Sequence, residues 1–257
     1  MKKVWITSLG RNQEKVQSTM AMLKKYALDA NGHFWIDDLK KMVWLSARDE
    51  LIKRDTVAWI ILSSGPELEA ESVRYGLSLL ALSMQAARGH GIPVIFLHDG
   101  EVLSHDKLPT PFRGAEIFTV GNPAVGAKLV AMAHMPVKRI ETDYRLDVIA
   151  MPRIGQWFEV GPFNAVWKGS MFGVHGGEID FHGVGPKGQL PEKAVLEYPT
   201  EGLKLSAGEV EYTAWAVQNE LSGDSSYYIR VQGEPSSILF GPLAEENSGD
   251  VYILNLT

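Results

Sequence analysis

The chain has 257 residues, 45% hydrophobic and 22% charged, the balance of a folded globular protein rather than a disordered tail, a collagen or a coiled-coil rod. It holds no cysteine, which excludes disulfide staples, thiolate nucleophiles, Cys-ligated zinc and iron–sulfur clusters. The formal charge of −6 is uneven: residues 1–140 carry 18 Lys+Arg against 14 Asp+Glu (net +4), the remainder 7 against 17 (net −10), a step that points to two separately built halves. The basic half is too mixed to be a nucleic-acid surface and its short lysine pairs read as solvated faces, so no nucleic-acid partner is expected.

Met1-Lys2-Lys3 opens on an apolar run, but that run stops at Gly10-Arg11-Asn12, too short for a signal-peptide core. The longest apolar segment, Leu77 to Ala87, is interrupted by serines and Gln85 and falls short of a bilayer span. A cytoplasmic protein with no membrane partner is expected. Val4–Ser8 predicts a first strand, and Gln13–Ala27 a helix with Val16, Met20, Leu23 and Tyr26 at helical spacing. Asn31-Gly32 is a turn signal, with His33–Asp37 as the second strand and Met42–Lys53 as a helix. Thr56–Leu62 is almost continuously apolar and β-favouring, the mark of a central parallel strand. Ser64 and Glu67 form an S-x-x-E capping box that starts a helix running to about Arg88. Ile92–Leu97, Ala115–Val120 and Pro123–Met135 add two strands and a last helix. Alternating strands and helices predict a five-stranded parallel, doubly wound domain over 1–138.

Past a boundary expected within 137–144, helical periodicity gives way to aromatics, Gly and Pro. Strands are predicted at Leu146–Met151, Trp157–Val160, Ala165–Phe172, Glu178–Phe181, Ala194–Tyr198, Val210–Val217, Tyr227–Val231, Ile238–Phe240 and Val251–Leu256. Turn signals at Gly176-Gly177, Gly185-Pro186, Ser222-Gly223-Asp224 and Gly233-Glu234-Pro235 separate them. Short strands with regular punctuation predict a β-sandwich or barrel over 144–257.

Open parallel sheets bind ligands at the C-terminal ends of their strands. Here those ends offer Ser8, Gly10 and Arg11, then Asp37, then Ser64. Gly10 would let the backbone approach a phosphate and Arg11 would pair with one, although the same residues also make an ordinary turn with a solvated arginine. Asp37-Asp38 would suit ribose hydroxyls or a metal, although two adjacent acids alone specify neither. Neither a Walker loop nor a G-x-G-x-x-G motif is present. His98-Asp99 and His105-Asp106 are neighbours in sequence, and neighbours on an extended chain point apart, so neither pair is a dyad on that ground. Ser63-Ser64 has no base identifiable in the sequence, and G-x-S-x-G is absent. His175 and His182, with Glu178 or Asp180, lack an evident third metal ligand, so no metal site is expected.

Five segments of the first half, in order, resemble the TIR domain. Val4-Trp5-Ile6-Thr7-Ser8 is similar to its first-strand motif and Phe34-Trp35-Ile36-Asp37-Asp38 to its second. Asp49–Asp55 leading into Trp59–Ser63 matches the third, Glu71–Leu77 resembles the following helix, and Ile92–Leu97 matches the fourth strand. The resemblance implies a flavodoxin-like fold, signalling by self-association or by pairing with another TIR-like domain, and NAD as a possible substrate, with no cofactor required. Two departures stand out. Gly76 occupies the position of the glutamate with which NAD-cleaving members act, and Leu39–Met42 replaces a glycine after the second strand. A carboxylate is needed there to stabilise the charge developing on the ribose. Glu71, in the first turn of the same helix, is the nearest substitute, though acids in that turn also serve simply to offset the helix dipole. The expectation is therefore a TIR-like signalling and assembly protein with a C-terminal β recognition module and little or no catalysis. The alternatives are an NAD glycohydrolase using a displaced acid, or a nucleotide-handling α/β enzyme with a nucleotide ligand over the same strand ends.

Overall fold

The computed structural model describes residues 2–135, 142–152, 154–243 and 251–257. The chain divides into two compact units, 1–140 and 141–257, and most of the segment expected to carry the boundary (136–141) lies outside the described residues.

In the first unit, β1 (Lys3–Ser8), β2 (Asp29–Phe34), β3 (Thr56–Ser64), β4 (Val94–Asp99) and β5 (Glu116–Thr119) form one parallel sheet in the order β2-β1-β3-β4-β5. The connections carry α1 (Gln13–Lys25), α2 (Arg48–Leu51), α3 (Gly65–Glu69), α4 (Glu71–Arg88) and α5 (Ala124–His134). This is the flavodoxin-like order, with its topological switch between β1 and β3. Strand alternation sends Val4, Ile6, Ala58, Ile60, Leu62, Ile95 and Leu97 to one face, where Leu23 of α1 and Val125, Leu129 and Ala133 of α5 cover them. Each large aliphatic side chain buried there contributes about 1.5–3 kcal/mol. The other face carries Trp59 and Phe96, both packed on Phe112 at ring-centroid distances of 5.8 and 5.4 Å.

Four expectations in this unit are corrected. The second strand begins at Asp29, not His33, because Ala27 turns the chain in a left-handed conformation (φ 57°) directly after α1. Asn31-Gly32 therefore lies inside β2, where a Cβ at position 32 would stand 2.2 Å from the Ile6 carbonyl oxygen; Gly32 permits close strand approach rather than a turn. Met42–Lys53 is a 3₁₀ turn (Val43–Ala47) followed by the short α2. The helix expected from Gly65 to Arg88 is broken at Ala70, which is extended (ψ 116°). The Arg74 guanidinium donates to the Leu68 carbonyl at 2.9 Å, satisfying the end of α3 that the break leaves open.

The second unit is one antiparallel sheet: β6 (Tyr144–Met151), β7 (Gly155–Pro162), β8 (Ser170–Pro186), β9 (Thr200–Ala207), β10 (Val210–Val217), β11 (Ser225–Pro242) and β12 (Tyr252–Asn255), ordered β6-β7-β11-β8-β10-β9 with β12 on β11. Four predicted strands merge into two long ones, β8 and β11. The presumed turns Gly176-Gly177 and Gly233-Glu234-Pro235 face each other across that pair, Gly233 opposite Gly177, as a matched bulge. Gly176 and Gly233 take φ of +81° and +80°, conformations that let both strands bend together without breaking. Ala194–Tyr198 is not a strand. The unpredicted β9 is an edge strand with one face in solvent, so it shows little apolar signal. Phe158, Phe172 and Phe240 pack in series, at 5.3 and 6.3 Å, as the centre of this core. The same sheet carries a largely buried Arg145–Glu159 pair, with Arg145 also donating to the Pro162, Ser222 and Ser225 carbonyls and to Ser226 Oγ.

Candidate functional site: the strand-end rim of the parallel sheet

Each side chain at the rim is placed by the strand that ends under it. Ser8, buried at the end of β1, donates to the Gly10 carbonyl at 2.7 Å, closing the turn that leads to α1. Asn12 caps α1 by accepting from the Lys15 amide, and Arg11 between them is exposed. At the end of β3, Ser64 starts α3. Its amide and hydroxyl both donate to Glu67 Oε2, at 2.6 and 2.9 Å, in the reciprocal cap expected from the sequence.

Glu67 then closes the crevice between β1 and β3. A Cβ on Gly10 would lie 2.2 Å from Glu67 Oε1, so the glycine makes room for that carboxylate. The Ser64 donors expected to face a ligand are thus already used by an internal carboxylate. Ser8, Gly10 and Ser64 do meet at one place, but the charge at that place is negative. Asp37 lies past the end of β2 and accepts from Ser72 Oγ at 2.6 Å, tying the β2 connection to the start of α4. Glu71 is the first residue of α4 and is exposed.

Gly76 is buried on α4 against Trp35. A Cβ there would stand 2.8 Å from Trp35 Cζ2 and 3.0 Å from Leu39 Cδ2. Leu39 thus helps fill the space that a residue-76 side chain would need.

Sequence reasoning missed one pair. Ser63 and His98 are directly opposite in the β3–β4 register, and Ser63 Oγ lies 3.0 Å from His98 Nδ1. Each follows an apolar run, Trp59–Leu62 and Val94–Leu97, so aligning the ends of the two runs would have brought them together. Both are 5% exposed. Burial holds the His98 imidazolium down, while the Asp99 and Glu67 carboxylates act the other way. Asp99 itself pairs with Lys15 of α1.

Elsewhere, His33 accepts from Trp5 Nε1 at 3.2 Å, and burial pushes its pKa down to about 4. In the second unit, His175 Nδ1 bonds the Glu211 carbonyl and His182 Nδ1 bonds the Tyr227 hydroxyl, so the two histidines engage separate partners. Among the described residues no three His, Asp or Glu side chains converge as metal ligands. Among them, too, no helix is long and apolar enough to cross a membrane.

No family model matches the chain. No curated protein matches it either. It is similar to a solved two-domain esterase active on acetylated mannans, with 7% identity and a TM-score of 0.31, over 98% of this chain and 90% of that one. A likeness that weak carries no argument about activity.

Proposed function

We propose that the first unit is a TIR-like association module that does not cleave NAD, and that the acidic second unit is its recognition module. The observation that carries this reading is the contact behind Gly76. A nicotinamide–ribose bond needs a carboxylate at the anomeric carbon, and the α4 face at residue 76 is closed by Trp35 and Leu39. Glu71 lies at the solvent-exposed start of the helix rather than in that packed face.

Two further features support association. The strand order is the one the resemblance implies. β2 is one of the two outer strands of the sheet, and exposed Tyr26, Phe34 and Ile36 lie at or beside its ends. An edge strand with apolar neighbours is a template for pairing with another chain.

Sedimentation and light scattering across a concentration series test the reading, with nicotinamide release measured on the same samples. Concentration-dependent assembly without release is expected, with assembly weakened in Phe34→Lys. A monomer at every concentration would refute association. Nicotinamide release lost in Glu71→Ala would refute the non-cleaving reading.

A further inference from the structure

We propose that Ser63 and His98 are a nucleophile–base pair that cleaves esters of short carboxylic acids at the strand-end rim of the first unit. This activity goes beyond the association reading and stands or falls without it.

The geometry is set by the sheet. β3 and β4 are adjacent and parallel, and their register places Ser63 opposite His98, each at the next-to-last position of its strand. Both side chains project to the face that carries Trp59 and Phe96 two or four residues earlier. They stand where a parallel sheet presents reacting groups. Ser63 Oγ is 3.0 Å from His98 Nδ1, within reach for general-base activation of a hydroxyl. Glu67, Asp99 and, through Asp99, Lys15 are the charged groups around the imidazole. The two carboxylates would stabilise the imidazolium formed when the base takes a proton. Each residue keeps only 5% of its surface exposed, so the acyl group assigned to the pair is a short one.

The chemistry closes with water as the only co-reactant. Ser63 Oγ adds to the ester carbonyl carbon while its proton passes to His98 Nδ1. The tetrahedral intermediate collapses, the carbon–alkoxy bond breaks, and the leaving alcohol takes the proton from His98. Water then adds to the acyl-serine, giving its proton to His98, and the carboxylic acid departs as that proton returns to Ser63. The alternative role is a cross-strand lock, like the 2.9 Å bond that Trp59 Nε1 donates to Thr7 Oγ1 on the same sheet.

Two measurements on the full chain separate these roles. The first is labelling with a small fluorophosphonate, read by intact and peptide mass, alongside 4-nitrophenyl acetate hydrolysis. A single adduct on Ser63 is expected, with turnover falling about 100-fold or more in Ser63→Ala and in His98→Gln. An adduct on another residue, or no adduct with turnover at the buffer rate, would overturn the proposal. The second exploits the absence of cysteine. Ser63→Cys introduces the sole thiol, and its iodoacetamide alkylation rate as a function of pH reports whether His98 activates position 63. A thiol reactive below its ordinary titration range, returning to ordinary behaviour when His98→Gln is added, supports the pair. A thiol indifferent to that second substitution shows a lock and refutes the base.

Discussion

Substitution at position 76 tests the packing reasoning most directly. Alanine at this site has two opposed effects. Inside a helix, Gly→Ala alone stabilises by about 1 kcal/mol. Here the new Cβ would lie 2.8 Å from Trp35 Cζ2 and 3.0 Å from Leu39 Cδ2, and the indole is buried at 6% exposure, so it cannot swing aside. Overpacking of that kind costs about 1–3 kcal/mol. Gly76→Ala is therefore expected to lose about 1 kcal/mol net, a fall in Tm of about 3 °C. Gly76→Glu adds a longer side chain and a buried charge and is expected to lose more than about 3 kcal/mol. It should acquire no nicotinamide release. Urea denaturation followed by tryptophan fluorescence measures both variants. The decisive arm is the same Gly76→Ala change in a Trp35→Leu background. With the indole gone, helix propensity is opposed only by the 3.0 Å approach to the end of the Leu39 side chain, and the substitution should change sign and stabilise by up to about 1 kcal/mol. A Gly76→Ala protein more stable than wild type, or a Gly76→Glu protein of unchanged stability, would refute the account of why glycine stands there.

Stability should fall as pH drops through the histidine range. His33 titrates at about 4 in the folded chain against 6.5 unfolded, so the unfolded chain takes up the proton first. Its contribution is complete above about pH 6.5 and diminishes toward pH 4, by at most about 3 kcal/mol. His98 and His182 are shifted in the same direction by burial and add to the slope. A urea midpoint that stays level between pH 7 and about 5, or a slope unchanged in His33→Gln, would contradict this. Arg145→Met should destabilise the second unit by about 3–5 kcal/mol, because Glu159 would remain buried without its cation; loss of near-ultraviolet dichroism on heating reads it. Gly32→Ala should cost about 3 kcal/mol, since its Cβ would meet the immobile Ile6 carbonyl of the neighbouring strand at 2.2 Å; thermal unfolding measures it, and a wild-type midpoint would show that β2 can move away from β1.

What could be read from the residues alone was whatever depends on local periodicity. The apolar run Thr56–Leu62 marks a central strand whatever surrounds it, and Val210–Val217 is a strand by alternation alone. The Ser64–Glu67 box closes within one turn of chain, so its partners need no tertiary help. Glycines misled for the opposite reason. Gly32, Gly177 and Gly233 were legible as flexible positions, but the same freedom serves a turn, a close strand approach or a paired bulge. The choice depends on which strand lies opposite.

The candidate site divides in the same way. Ser8, Gly10 and Ser64 could be placed at strand ends from sequence, because strand ends follow from where apolar runs stop. That Glu67 fills the crevice between them, that Trp35 closes the space behind Gly76, and that Ser63 faces His98 are relations between residues 35–57 positions apart. Only the tertiary structure decided them. The ordering of neighbouring strands and their register is settled by burial summed over the whole sheet, and no local run of the chain contains that sum.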